Sequence, residues 1–227
     1  MKISEIFESI QGEGILAGVP SLFIRASGCN LRCSWCDTPY ASWAPEGDEW
    51  TAEQLLQRAA ASRLRHVVLT GGEPMIFPDL VPLTRGLREL GRHITIETAG
   101  TVDQPVACDL MSISPKLANS TPHGIEGGRW TDMHERARLR PDVLRALMKR
   151  YDYQLKFVVR EEADLGEIRA LVEELAAPPE RVLLMPEGVD AGTLRQRSLW
   201  LADVCRQTGF RYSPRLHIFL YGNRRGV

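Results

Sequence analysis

Apolar, β-branched runs alternate along this chain with stretches whose apolar residues recur every three or four positions. That alternation restricts the fold more than any other feature, because it is the pattern of parallel strands joined by crossover helices in an α/β protein. The expected strands are SLFIRAS (21–27), HVVLTG (66–71), HITIETAG (93–100), CDLMSISP (108–115), LKFVVR (155–160) and RVLLMPEG (181–188). Helices are expected within 51–63, 78–91, 141–150, 164–176 and 191–209, several of which begin with Thr, Asp or Pro as helix N-termini do. Six or so β/α units are too few for a closed eight-fold barrel. The expectation is therefore a partial, open (β/α)6-like TIM barrel, with a doubly wound sheet as its competitor.

A chain of 227 residues, 44% of them apolar, can bury one sizeable core, so residues 1–227 read as one domain. The polar, glycine-rich stretch near 119–137 reads as an irregular excursion. A net charge of -1 marks no polyanion binder, which disfavours nucleic acid as the substrate. Acidic residues interrupt the N-terminal apolar positions, and no apolar run approaches the roughly 20 residues of a bilayer span. A soluble, cytoplasmic protein without a membrane partner is expected. Five cysteines, three of them crowded into eight positions, suit a reducing compartment and a thiolate-bound metal better than a disulfide framework.

Those three thiols, Cys29, Cys33 and Cys36 in SGCNLRCSWCDTPY, have no histidine near them. A structural zinc site wants four protein ligands, and the remaining candidates, His66, Cys108 and Cys205, are far along the chain. An iron-sulfur cube held by three cysteines leaves one iron open to a small molecule. Both readings stand on spacing alone, a zinc-binding interaction module being the second. Cys108 and Cys205 fall at apolar-period positions and read as core thiols. LTGGEP, Leu69 to Pro74, is a buried strand that ends in two glycines able to bring backbone close to a ligand, or simply a turn. QGEG, Gln11 to Gly14, is a polar turn, and Arg25 is a charge inside the apolar LFIRAS, where the bland reading is a buried ion pair.

CNLRCSWC with its aromatic before the last cysteine, followed by TGGEP, resembles the radical S-adenosylmethionine (SAM) superfamily. The resemblance implies a 4Fe-4S cluster on Cys29, Cys33 and Cys36 and a barrel of the radical SAM type. It puts SAM beside Trp35 and Asp37, with the backbone of Gly71 and Gly72 and nearby Glu73 receiving its ammonium. Glu97 or Thr98, then Ser114, Pro115 and Lys116, would surround its ribose and carboxylate, and Met185, Pro186 and Glu187 would edge the adenine. The order of QGEG, GVPSLFIRASGC, CDT, TGGEP, ETAGT, SPK and LKFVV further resembles the branch of that superfamily that contracts the ring of a carboxylated pterin. In that branch the turn Ile10, Gln11, Gly12 and Glu13 would meet the pterin edge, Arg25 its carboxylate and Thr70 a further polar group. Thr38 would be a ligand of Mg2+, and His217 and Val227 would close the pocket. Ala99 replaces a polar residue of the branch, so no side-chain bond is expected there. The resemblance also implies a homodimer and an electron donor such as flavodoxin. The six basic residues from Arg136 to Arg150 offer that donor a docking surface. The nearest rival enzyme is a glycyl-radical-enzyme activase, which shares the cysteines but has no use for QGEG and Arg25.

Overall fold

Strand alternation separates two faces of one sheet with different chemistry. The computed structural model describes residues 1–227. After the antiparallel strand β1 (Lys2–Ile10) come β2 (Pro20–Ala26), the short helix α1 (Pro39–Ser42) and the two-residue β3 (Asp48–Glu49). The repeating units follow: α2 (Ala52–Ala61), β4 (His66–Gly71), α3 (Leu80–Glu89), β5 (His93–Thr98) and β6 (Leu110–Ile113). Then come α4 (Thr131–Arg138), α5 (Pro141–Arg150), β7 (Tyr153–Val159), α6 (Asp164–Glu174), β8 (Val182–Pro186) and α7 (Ala191–Thr208). β9 (Arg211–Tyr212) and α8 (Leu216–Tyr221) complete the fold. No helix is long and apolar enough to cross a membrane.

The sheet order is β3-β1-β2-β4-β5-β6-β7-β8-β9, and every neighbouring pair from β2 to β9 is parallel. From β2 to β9 the parallel part of the order never reverses, and the edge strands do not meet, so the sheet is an open barrel wall rather than a doubly wound sheet. On its outer face Leu22, Ile24, Val67, Leu69, Ile94, Ile96, Phe157 and Val182 join the helices in a continuous apolar cluster of 35 buried residues. Complete burial of such a side chain stabilises by about 1.5–3 kcal/mol, so this face anchors the fold. Cys108 and Cys205 belong to it, as expected of core thiols.

The inner face is polar where the strands end. Arg25 of β2 lies beside Thr70 of β4, and Glu97 of β5 lies beside Ser112 of β6. Gln154 and Lys156 of β7 are a two-residue step apart and therefore share a face. β1, which the sequence pattern misses, supplies Glu5 opposite Arg25 and Phe7 opposite Phe23, whose rings stack 5.0 Å apart.

One expectation changes. The 119–137 excursion contains α4, a hydrophilic helix with only His134 buried, because it covers the cysteine loop instead of packing into the main core. The C-terminal segment is helical over Leu216–Tyr221, after β9 has already taken the sheet edge and Pro214 has stopped it.

Candidate active site

The C-terminal strand ends open on a cavity of about 460 Å³. At one end is the cysteine loop, whose backbone is tied down independently of its thiols. Ser34 N donates to Ser120 O at 2.8 Å, Trp35 Nε1 to Asn119 O at 3.0 Å, and Trp43 Nε1 to Cys33 O at 3.0 Å. Leu31, Cys33 and Ala99 form a small apolar cluster with Cys29, Cys36 and Ala137 against it. Burial pushes the Cys29 thiol to about 12, helped by the nearby Glu73 carboxylate, and burial pushes Cys33 to about 12 despite Lys116. Cys29 and Cys33 are thus thiols that need a metal's positive charge to ionise. All five cysteines are free.

Glycines bring the strand end against this loop. At Gly71, φ is 137°, and a Cβ there would meet Ala26 O at 2.1 Å. A Cβ on Gly72 would stand 2.2 Å from Gly28 O and 2.4 Å from Ala41 O. Glu73 lies behind the wall: its carboxylate accepts from Met75 N at 3.0 Å, Thr98 Oγ1 at 2.8 Å and Ala99 N at 2.7 Å. Burial holds it above the usual carboxylate range despite those donors. It splints the ends of β4 and β5 and does not line the cavity.

The opposite end is built from charges. Glu97 accepts from Gln11 Nε2 at 3.0 Å and Thr70 Oγ1 at 2.7 Å, which fixes the carboxylate and leaves it further lone pairs. Arg25 Nε donates to Glu5 at 2.7 Å, so the buried ion pair of the bland reading exists. Only Nε is spent, and the two terminal nitrogens remain available to an oxyanion. Glu13 pairs with Lys156 and, at 3.2 Å, with Arg215, which also pairs with Asp37. Burial raises the Glu13 carboxyl, but Lys156 and Arg215 together hold it far below the usual range. His217 closes on the turn at Gly12, where a Cβ would fall 1.9 Å from its Nδ1, and burial lowers its pKa.

Ile10, Gln11, Gly12, Glu13, Arg25 and Thr70 line the cavity, as do the three cysteines with Trp35, Asp37 and Thr38. So do Gly71, Gly72, Glu97, Thr98, Ser114, Lys116, Met185, Glu187, His217 and Val227. Glu73, Pro115 and Pro186 do not. Pro186 is a β8 residue paired with Val159, and the Glu187 carboxylate is engaged by Arg197. Thr38 stands at the N-cap of α1 without a capping bond, its hydroxyl 3.8 Å from Cys36 Sγ. Sequence reasoning missed Glu5, Lys156 and Arg215. Lys156 carries the same signal as Arg25, a charge in an apolar strand, whereas Glu5 and Arg215 show their role only once paired.

Four members of the basic run are neutralised: Arg138 by Glu135 and Glu167, Arg140 by Asp142, Arg145 by Glu174 and Arg150 by Asp103. As a docking surface it is therefore much weaker than its sequence suggests. No three His, Cys, Asp or Glu side chains are grouped closely enough for one metal ion, the arrangement a zinc module needs.

A thiol-lined pocket at the strand ends of an open parallel barrel defines the class, and residues 23–156 match the radical SAM superfamily, to which the chain belongs. Enzymes of this superfamily work with a 4Fe-4S cluster and SAM. The chain is 48% identical to the 7-carboxy-7-deazaguanine synthase of Rhodopirellula baltica, over 99% of its own length and 88% of the relative's. It is 42% identical to that of Halobacterium salinarum, over 98% and 91%. The crystal structure of QueE from Escherichia coli superposes with a TM-score of 0.68 at 27% identity, covering 93% of this chain and 92% of that one. Within the superfamily, the chain belongs to the 7-carboxy-7-deazaguanine synthases.

Proposed function

We propose that the protein converts 6-carboxy-5,6,7,8-tetrahydropterin to 7-carboxy-7-deazaguanine with loss of ammonia, a carbon-nitrogen lyase step towards queuosine and related 7-deazapurines. The observation that carries the reading is one cavity with three thiols at one end and, at the other, the free fork of Arg25 beside the fixed acceptor Glu97. Cys29, Cys33 and Cys36 would hold a 4Fe-4S cluster, which together with SAM would supply the one-electron reduction and the hydrogen abstraction at C6 of the pterin. The residues fit that group: the thiols are free, share one loop and are walled by apolar side chains, with Lys116 on the same cavity.

The chain's own contribution is binding and orientation. Arg25 takes the substrate carboxylate bidentately through its two terminal nitrogens. Glu97, steadied by Gln11 and Thr70, accepts from the N–H groups of the pterin edge, and Glu13 stays ionised as a second acceptor. His217 and the terminal residue Val227 exclude water from the far side. Gly71 and Gly72 offer close backbone approach to SAM, with Trp35, Ser114, Lys116 and Met185 along its length. The Thr38 hydroxyl, free of any capping bond, would be a ligand for Mg2+, which would supply positive charge for the substrate's carboxylate. A reducing cytoplasm agrees with the free thiols, and a homodimer served by a flavodoxin-like donor completes the reading.

The test is anaerobic reconstitution followed by incubation with the carboxylated tetrahydropterin, SAM, Mg2+ and a reductant. 7-Carboxy-7-deazaguanine is the expected product. Deoxyadenosine without ring contraction would overturn the substrate and leave the superfamily standing.

A further inference from the structure

We infer that Arg215 is a positioning residue that holds the substrate end of the cavity in register with the cysteine loop, an inference that rests on the pterin reading above. Its side chain is 7% exposed, and its guanidinium bonds three separate segments. Nε donates to Glu13 at 3.2 Å in the turn after β1, one terminal nitrogen donates to Gly188 O at 2.6 Å after β8, and the other pairs with Asp37. Asp37 is flanked by Cys36, a thiol of the proposed cluster, and by Thr38, the proposed magnesium ligand.

The charges balance only with Arg215 present. Glu13 and Asp37 contribute two negative charges, and Lys156 and Arg215 two positive ones. Lys156 reaches Glu13 alone, so Arg215 is the one cation paired with Asp37. Remove it and Asp37, whose side chain is 39% exposed, loses its only ion-pair partner, so the segment that joins Cys36 to Thr38 is no longer tied to Glu13 and to Gly188 O. A lysine keeps the charge but not the planar fork that directs three donors in three directions. Register matters because the reacting carbon must lie within a fraction of an ångström of its attack distance. A displacement of ~1 Å is enough to lower a rate about a hundredfold.

The test uses reconstituted holoenzyme carrying R215K, R215Q, D37N or R215Q with D37N. Each is reduced anaerobically, given SAM, and examined by electron paramagnetic resonance with and without the pterin, while deoxyadenosine formed per ring-contracted product is counted. R215K should hold the same iron per chain as the unsubstituted protein. Its spectrum should lose the change that the pterin induces, and deoxyadenosine per product should rise by ~10-fold or more. Adding D37N to R215Q should cost little beyond R215Q alone, since the two residues form one tether and its loss is counted once. R215K with unaltered spectrum and coupling overturns the inference, and so does a double variant whose losses simply add while iron falls in step. If R215Q does not fold, R215K and D37N decide. Should the unsubstituted protein itself ignore the pterin, the substrate reading fails. R215K must then still differ from it in the SAM-bound spectrum for the Arg215 link to stand.

Discussion

The two ends of the cavity are prepared for their ligands in opposite ways. The cysteine loop is held by backbone bonds to Ser120 and Ala41 and by apolar packing, and its buried thiols keep their protons until a metal arrives. The far end is organised by its own charges: Glu13, Lys156, Arg215 and Asp37 satisfy one another without any ligand. The first end is fastened by bonds that leave its sulfur atoms free, whereas at the second the buried Glu13, Lys156 and Arg215 are one another's partners. Preorganisation costs stability risk at the charged end and metal dependence at the thiol end.

Substitutions that break one end and spare the other probe this contrast. The largest effect is expected from Cys33→Ala, which removes one of three anchors: iron per chain and turnover should both fall to background. Its metal-free thermal stability should drop by only about 1 kcal/mol, the cost of a small cavity. Measured together, iron content and melting temperature separate the two quantities, and a large drop in stability would show the thiols to be structural. Glu13→Gln should do the reverse. It leaves Lys156 buried and unpaired, so roughly 3–5 kcal/mol of stability should be lost while iron binding survives. Denaturant unfolding of the metal-free protein checks it, and an unchanged midpoint would mean the network is not coupled to folding.

How much of this was readable in the chain follows from where each interaction closes. The six main parallel strands and the three thiols were legible because strand alternation and C-x3-C-x2-C spacing are local patterns. β1 was not, since KISEIFESI puts Glu5 where an apolar residue is expected. That carboxylate belongs there only because Arg25 lies opposite on β2 and Tyr40 donates to it at 2.8 Å. α4 looked irregular because a helix that roofs a small loop needs only a narrow contact stripe. Arg215 was invisible for a third reason: its partners are Glu13 and Asp37, some 200 and 180 residues away, and no local pattern carries a pair that distant. Glu73 shows the converse, since the motif flags the residue but not that its carboxylate bonds Thr98 and Ala99 behind the cavity wall.

Gly72→Ala tests the seam between the ends. Its Cβ would overlap two backbone carbonyls, Gly28 O and Ala41 O, which cannot rotate aside as a side chain would. A loss of about 1–3 kcal/mol is expected, together with faster iron loss as the loop is pushed from the strand end. If iron retention is unchanged, the loop is more compliant than its hydrogen bonds suggest.

The smallest effect concerns the roof over the thiol end. His134 is fully buried; its Nδ1 accepts from Arg32 N at 3.1 Å, and its Nε2 lies 2.9 Å from Ser120 Oγ, whose own hydrogen goes to Leu117 O. That pattern requires a neutral ring with its proton on Nε2, and burial lowers the pKa from 6.5 to about 4. The unfolded state then binds the proton first as pH falls. The stabilisation is complete above 6.5 and is lost progressively between 6.5 and about 4. At about pH 5.5 the loss should be roughly 1 kcal/mol. Comparing melting temperature against pH for the unsubstituted protein and His134→Gln isolates this group, because His66 and His217, also held low by burial, titrate in both. The variant should show the shallower slope across this window. Equal slopes would mean that the α4 roof opens before His134 protonates, and that the thiol end is less firmly covered than its hydrogen bonds imply.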